Sequence, residues 1–279
     1  FQVTLGSLTF VLAVVGFLFS VPRIRKEILR LRDEQKRAAA AVVRIDELRN
    51  LSEQGQQGIW SRSVNYDEVK YNEKLQGSIP IILLANLKGG VGKTTIAANL
   101  AAALASSAGL EADESRPENT KRVLAIDLDY QGSLSSLFLG HNEIDDPREI
   151  DDLRTKAIGL LGGDRNAAWA KEAAQPLKDP YSNLRYLPTD SEMADLENRL
   201  TLRWLIGETG KDVRFNLMEV LSHADIQHHF DYVILDTAPR LTLSFINGLC
   251  AATHLIVPTG LDHLAARSAG TFILQYNFL

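Results

Sequence analysis

The chain has 279 residues, 45% of them hydrophobic and 23% charged, which is enough for one large folded core with an appended segment. The net charge of −5 gives no overall attraction to nucleic acid, so any DNA contact would need a local basic patch. The single cysteine, Cys250, excludes an internal disulfide and any metal or iron–sulfur site built from paired cysteines within one copy of the chain.

Residues 1–22 predict a transmembrane helix. They contain no charged residue, and a stretch of about 20 apolar residues is long enough to span a bilayer. Basic residues follow at once between Arg23 and Arg32, as is usual on the cytoplasmic side of a membrane helix. We therefore expect an inner-membrane protein with the rest of the chain in the cytoplasm. A signal peptide and a buried core helix are the alternatives.

Residues 23–52 predict a helical stalk. Apolar or uncharged residues recur at alternating steps of four and three: Ile24, Ile28, Leu31, Gln35, Ala38, Val42 and Ile45. This heptad spacing is typical of a coiled coil, and a solvated helix with a chance stripe is the alternative. Residues 53–77 are rich in Gln, Ser, Asn and Gly and predict a linker.

Residues 78–279 predict an α/β domain with a mostly parallel sheet wrapped by helices, because short apolar runs alternate with longer helical segments. The predicted strands are 79–87, 122–129, 184–188, 232–236 and 254–258. The predicted helices are 94–105, 133–139, 191–200, 216–223, 243–251 and one from about Leu264. Residues 108–120 predict an exposed insertion. Since the sequence ends within an apolar stretch, we expect the domain to continue beyond Leu279.

A glycine-rich loop joins the first predicted strand to the first predicted helix. It consists of Lys88, Gly89, Gly90, Val91, Gly92, Lys93, Thr94 and Thr95. Glycines let backbone N–H groups approach phosphate oxygens, and the positive end of the helix dipole faces the same anion. In such a loop Lys93 is expected to reach the β and γ phosphates, and the Thr94 hydroxyl to bind Mg²⁺. A tight turn without a ligand is the alternative.

This loop resembles the deviant Walker A motif of the ParA/MinD ATPases, because Leu87 stands where the first glycine is expected and a second lysine, Lys88, precedes the glycine pair. The resemblance implies a P-loop NTPase fold that binds ATP and Mg²⁺. It also implies that Lys88 reaches across an ATP-dependent homodimer to the phosphates of the partner. Lys88, Lys93 and Asp129 are the residues expected to act in catalysis.

Two acids end the second predicted strand. Asp127 and Asp129 lie two positions apart and are expected to point the same way, toward the edge where α/β sheets bind ligands. The stretch is similar to the family's motif of an acidic pair followed by Pro-Gln-Gly, except that Tyr130 replaces the proline. The resemblance implies that Asp129 positions the attacking water. Two carboxylates that only cap a helix are the alternative.

The apolar run before Asp236 is typical of a Walker B strand, whose acid holds Mg²⁺ through a water molecule. The next residues resemble the family's Asp-x-Pro-Pro-Ser turn, but Ala238 and Arg240 stand where the first proline and the serine would be. The expected metal-site residues are Thr94, Asp127, Asp129 and Asp236.

The resemblance implies a nucleotide switch that partitions or positions DNA or another cargo at the membrane and is triggered by an unidentified activating partner. Whether DNA is bound stays open. A membrane-linked bacterial tyrosine kinase of polysaccharide export is the main alternative, and a tyrosine cluster in a C-terminal tail would distinguish it. A third hypothesis is a nucleotide-sensing scaffold with negligible ATP turnover.

Overall fold

The computed structural model describes residues 2–53, 58–60, 62–64, 66–106, 121–142, 156–163, 165–260 and 270. The chain forms two compact units, residues 1–55 and residues 56–279. The predicted insertion at 108–120 and the helix predicted from Leu264 lie outside the described residues, so both stay predictions.

Helix α1 (Gln2–Glu53) makes up the first unit and runs without interruption through Pro22. Helix therefore covers both the predicted membrane segment and the predicted stalk. Among the residues that the structure describes, no helix is both long and apolar enough to cross a membrane. The side chains of residues 1–21 are not among those described, so the membrane helix stays a prediction. On the stalk, Ile28, Leu31 and Val42 are 48 to 59% exposed.

The segment predicted as a linker is folded over most of its described length, which corrects that prediction. Helix α2 (Glu68–Gln76) lies within it, and the Asp67 carboxylate caps it by accepting hydrogen bonds from two backbone N–H groups of the first turn. Upstream of α2, Trp60 stacks on Trp204, which belongs to the same unit, with ring centroids 6.1 Å apart. We call residues 58–77 the strap. Its aromatic residues hold the strap against the rest of the domain. They were not singled out from the sequence because the segment is rich in Gln and Ser.

Among the described residues, six strands form one sheet in the order β3-β4-β2-β5-β1-β6. All neighbouring pairs are parallel except β3 and β4, which are antiparallel. The strands are β1 (Ile81–Leu84), β2 (Val123–Leu128), β3 (Gln175–Pro176), β4 (Leu184–Leu187), β5 (Tyr232–Thr237) and β6 (His254–Ile256). The five predicted strands are confirmed, and of the strands in the described part of the chain only the two-residue edge strand β3 was not predicted.

Helices cover both faces of the sheet, as predicted. The remaining helices are α3 (Lys93–Ala105), α4 (Ser133–His141), α5 (Lys156–Gly162), α6 (Ala167–Ala173), α7 (Glu192–Leu205), α8 (Asn216–Leu221), α9 (Ala224–Gln227) and α10 (Leu243–Ala251), with a 3-10 helix at Val213–Phe215. Helices α3 and α4 share one buried cluster with alternate residues of β2, including Val123 and Ala125. Helix α10 packs on the opposite face, where a Cβ added to Gly248 would lie 2.9 Å from Leu83 Cδ1.

The strand order brings three loops together at one edge of the sheet. Strand β5 lies between β1 and β2. The glycine loop follows β1, Asp129 follows β2 and Arg240 follows β5, so the three loops start from neighbouring parallel strands. Their carboxyl ends point the same way, and ligands of open α/β sheets bind at this edge. The fold therefore places the three predicted motifs side by side.

Candidate phosphate-binding site

The glycine loop has the geometry of a phosphate cradle. Gly90 and Gly92 adopt positive φ angles of 71° and 85°, which favour glycine because a Cβ is strained there. Helix α3 starts directly after Gly92, so its unpaired N–H groups and its positive dipole end face the loop. The sequence prediction of a strand, a glycine loop and a helix in this order is confirmed.

An open cleft of about 740 Å³ lies against this loop, within the size range of small-molecule sites. It is lined by Gly90, Val91, Gly92, Lys93, Thr94, Thr95, Asp129, Gln131, Ser133, Ser136, Leu137, Thr237 and Pro239. The lining joins the glycine loop to residues that follow β2 and β5. The cleft therefore contains most of the predicted site residues and several that sequence reasoning did not single out.

Lys93 is buried at the base of the glycine loop, with 6% of its surface exposed. Its Nζ donates a hydrogen bond to the backbone oxygen of Lys88 at 3.3 Å. Burial lowers the pKa of Lys93, and the nearby carboxylates of Asp236 and Asp129 oppose that shift. An anion with several oxygens that enters the cleft would stabilise this partly desolvated ammonium group.

Asp236 is completely buried beside the glycine loop, in register with Leu84 of β1 and Asp127 of β2. Within the described residues, neither of its carboxylate oxygens accepts a hydrogen bond of ordinary geometry. Burial raises its pKa to about 6, while the Thr94 hydroxyl and Lys93 act in the opposite direction. Because a buried, unpaired carboxylate is costly, the arrangement fits a hydrated cation held between Thr94 and Asp236.

Asp129 lines the cleft and is 7% exposed. Its Oδ1 accepts a hydrogen bond from the Gln131 backbone N–H at 3.1 Å, and its backbone oxygen accepts one from the Gly132 N–H at 2.7 Å. These bonds fold the β2–α4 loop into a tight turn around the carboxylate. The structure thus places Asp129 in the wall of the cleft that the glycine loop also lines.

Asp127 lies close to these groups and forms local hydrogen bonds, and its metal role stays a prediction. One of its oxygens accepts a hydrogen bond from the Asp129 N–H, and the other accepts bonds from the Ser135 N–H at 2.8 Å and hydroxyl at 2.7 Å. Burial and the charge of Asp236 raise its pKa to about 7. Asp127 therefore braces the β2–α4 loop against the start of α4.

The expected cluster of three acids does not form a ready metal cage. In the part of the chain that the structure describes, no three His, Cys, Asp or Glu side chains lie close enough together to hold a metal ion. Mg²⁺ keeps several water ligands and takes oxygens from phosphates and only one or two carboxylates. The spacing of Asp127 and Asp129 predicted which way Asp127 points, but it did not predict the hydrogen bond that Asp127 accepts from the Ser135 hydroxyl.

Sequence reasoning missed the residue that fixes the start of the glycine loop. Asn86 is 1% exposed, and its Nδ2 donates to the Pro258 backbone oxygen at 2.8 Å. Its Oδ1 accepts the backbone N–H of Lys88 at 2.8 Å. The side chain therefore ties the loop to the residues after β6. A polar residue directly after a buried strand was the available signal.

Lys88 is exposed beside the cleft. Its backbone is held at both ends by the bonds to Asn86 and Lys93. The loop conformation at this residue is thus defined, and its side chain leaves from a fixed point on the surface.

Comparison with known proteins agrees with this geometry. The model of the AAA domain family, AAA_31, matches residues 79–277. The chain belongs to this family. The match contains the glycine loop, both strand-end acids of β2 and the acid of β5, so the family assignment covers the whole site described above.

Two similar proteins are about 30% identical to the chain over the aligned regions. The chromosome partitioning protein ParA of Myxococcus xanthus is 30% identical over 66% of this chain and 53% of its own length. The solved structure of cobyrinic acid a,c-diamide synthase from Mycobacterium smegmatis, with a bound ATP analogue and magnesium, is 31% identical over 71% of this chain and 66% of its own, with a TM-score of 0.52.

A plasmid partition protein from Borrelia burgdorferi has the same fold, with a TM-score of 0.52, 22% identity and coverage of 71% of this chain and 73% of its own. The chain spans about half the length of the curated relatives it matches, between 44 and 58% for three of them. Together with the glycine-loop geometry, these similarities identify a P-loop NTPase fold.

Proposed function

We propose that this chain binds ATP with Mg²⁺ and hydrolyses it as a ParA/MinD-like molecular switch. The observation that carries the proposal is the buried ammonium group of Lys93 beside the unpaired carboxylate of Asp236, at the base of a glycine loop that opens into a cleft. Such a site offers one positive group for phosphate oxygens and one acceptor for a hydrated cation. A similar protein binds an ATP analogue and magnesium.

We assign the individual roles as follows. The backbone N–H groups of residues 88–95 and the Lys93 ammonium group hold the phosphates, and Thr94 with Asp236 holds Mg²⁺ and its waters. Bound Mg²⁺ would neutralise charge on the phosphate oxygens. Asp129 orients the attacking water. Asp127 keeps the loop of Asp129 in place through its hydrogen bonds with Ser135. We assign Asp127 this role in place of the metal role expected from the sequence.

The ATPase cycle serves to change the oligomeric state of the protein and not to make a chemical product. Two ATP-bound copies close face to face, Lys88 of each copy reaches the phosphates of the other, and an activating partner triggers hydrolysis that separates them. The cargo is DNA or another cellular body positioned at the membrane. The ParA relative supports partition as the cellular role. The exposed apolar residues of the stalk support a coiled coil that raises the local concentration of the two domains.

Lys88→Ala should abolish ATP-dependent dimerisation and leave ATP binding to each copy intact, because Lys88 is assigned to the partner's phosphates. The measurement is sedimentation velocity of the full chain in detergent, with ADP and then with a non-hydrolysable ATP analogue. The result is the dimer fraction with the ATP analogue minus the dimer fraction with ADP. This difference removes any dimerisation through the stalk that does not depend on the nucleotide. Lys70→Ala, an exposed lysine of α2, is the matched control. An equal gain in wild type and Lys88→Ala would rule out the trans role.

Membrane attachment through residues 1–22 completes the proposal, with the P-loop domain in the cytoplasm beneath the inner membrane. The charge-free stretch and the basic residues that follow it support this topology. Deleting residues 1–22 should move the protein from the membrane pellet to the supernatant after cell fractionation, with a replacement of residues 1–22 by an unrelated membrane helix as the control. Retention of the deleted form in the pellet would contradict the anchor.

A further inference from the structure

Two residues that depart from the ParA/MinD pattern touch each other. Tyr130 replaces the proline after the acidic pair, and Arg240 replaces the serine after the β5 turn. In the structure the guanidinium carbon of Arg240 lies 3.9 Å from the centre of the Tyr130 ring. This distance is well within the limit of about 6 Å for a cation–π contact. The residues are far apart in the sequence and come from different loops.

The contact joins two loops that both line the cleft. Tyr130 lies between Asp129 and Gln131, which line the cleft on the β2 side. Arg240 directly follows Pro239, which lines it on the β5 side. Pro239 in turn lies near the glycine loop, since a Cβ added to Gly89 would be 3.9 Å from its Cγ. The loops after β2 and β5 and the glycine loop thus form a continuous rim around the proposed phosphate site.

We propose that Tyr130 and Arg240 form a latch that positions Asp129 for hydrolysis. The proposal rests on the proposed function, because it concerns the water-orienting role assigned to Asp129. Tyr130 is not among the residues that line the cleft. It fixes the turn in which the Gln131 and Gly132 N–H groups bond to Asp129. A proline would stiffen this turn through its own ring, and here the stacked guanidinium group does so from the neighbouring loop.

The first experiment measures amide hydrogen exchange by NMR or mass spectrometry in the full chain without nucleotide. The amides of Gln131 and Gly132 report on the turn because both donate to Asp129. Arg240→Gln and Tyr130→Leu should each raise their exchange about two- to fivefold, the scale of an exposed cation–π contact. The double variant should exchange no faster than either single variant. Tyr130→Phe keeps the ring and should stay close to wild type.

Arg165 provides the control, since its guanidinium group also stacks on an aromatic ring, that of Trp169 at 5.3 Å, in a part of the domain away from the cleft. Arg165→Gln should leave the Gln131 and Gly132 amides unchanged. Exchange in Arg240→Gln that equals the exchange in Arg165→Gln would overturn the latch. This readout needs no ATP, so it does not depend on whether the proposed function is right.

The second experiment measures ATP turnover. Arg240→Gln and Tyr130→Leu should lower kcat by about two- to fivefold and leave KM unchanged, because the latch acts on the water-orienting residue rather than on the phosphates. A raised KM with unchanged kcat would overturn the positioning role. A wild-type chain that fails to bind ATP would instead sink the proposed function, and the exchange result would still decide whether the latch exists.

Discussion

Lys93→Ala should lower the affinity for ATP at least about a hundredfold. Hydrogen bonds that involve a charged group contribute roughly 1.5–3 kcal/mol each, and Lys93 is assigned to two phosphate groups. The loss is not replaced from elsewhere, because Lys93 is the buried cation at the base of the cleft and its neighbours Asp129 and Asp236 are acids. Without the lysine these carboxylates would repel the phosphates. The measurement is calorimetric titration of the full chain with ATP and Mg²⁺.

The matched control for this titration is Lys70→Ala, which removes the same charge from the exposed face of α2 and should leave ATP affinity unchanged. Thermal unfolding of both variants without nucleotide separates a lost site from a lost fold. Burial already lowers the pKa of Lys93, so removing this desolvated group should cost the nucleotide-free fold little. Micromolar ATP affinity in Lys93→Ala would contradict the phosphate-binding role.

Arg214→Met should lower the free energy of unfolding of the P-loop domain by about 3–5 kcal/mol, the usual cost of breaking a buried ion pair. Arg214 is 1% exposed, and all five of its guanidinium N–H groups have acceptors. Two go to the Asp212 carboxylate at 2.9 and 2.6 Å. Three go to backbone oxygens of the strap, at Trp60, Arg62 and Ser63. The substitution would leave a buried carboxylate and three strap carbonyls unpaired.

Urea unfolding followed by tryptophan fluorescence measures this effect, because the stacked rings of Trp60 and Trp204 lie beside the guanidinium group. The control is Arg122→Met, which breaks the ion pair with Asp231 on the surface, where the two side chains are 48 and 35% exposed. An exposed pair contributes about 0–1 kcal/mol. If Arg214→Met lost no more stability than Arg122→Met, the strap would not depend on this network.

The sequence predicted the sheet well because the inner parallel strands β1, β2, β4 and β5 are mostly buried and form short apolar runs. All six residues of β2 are buried, and the acids that end β2 and β5 mark where those runs meet the cleft. Strand β3 has only two residues and pairs antiparallel at the edge, so it leaves no periodic signal. Helix α10 begins and ends at the predicted residues, and the Thr242 side chain caps its start.

Interactions between distant residues explain what the sequence did not predict. The strap was read as a linker because its polar composition outweighs a few aromatic residues, and the Arg214 that binds its carbonyls lies about 150 positions away. The role of Asp127 depends on Ser135, which only the turn into α4 brings near. The latch needs the loops after β2 and β5 to be neighbours, a consequence of strand order. Motif spacing predicts which residues line a ligand site, but it does not predict which of them form hydrogen bonds with other residues of the chain.

The most direct test of the central claim is a structure of the full chain with a non-hydrolysable ATP analogue and Mn²⁺, which replaces Mg²⁺ among oxygen ligands and can be located by its anomalous scattering. We predict one Mn²⁺ site beside the Thr94 hydroxyl and the Asp236 carboxylate, with the terminal phosphate next to Lys93. A triphosphate bound away from the loop of residues 88–95, or a Mn²⁺ peak remote from Asp236, would contradict the account.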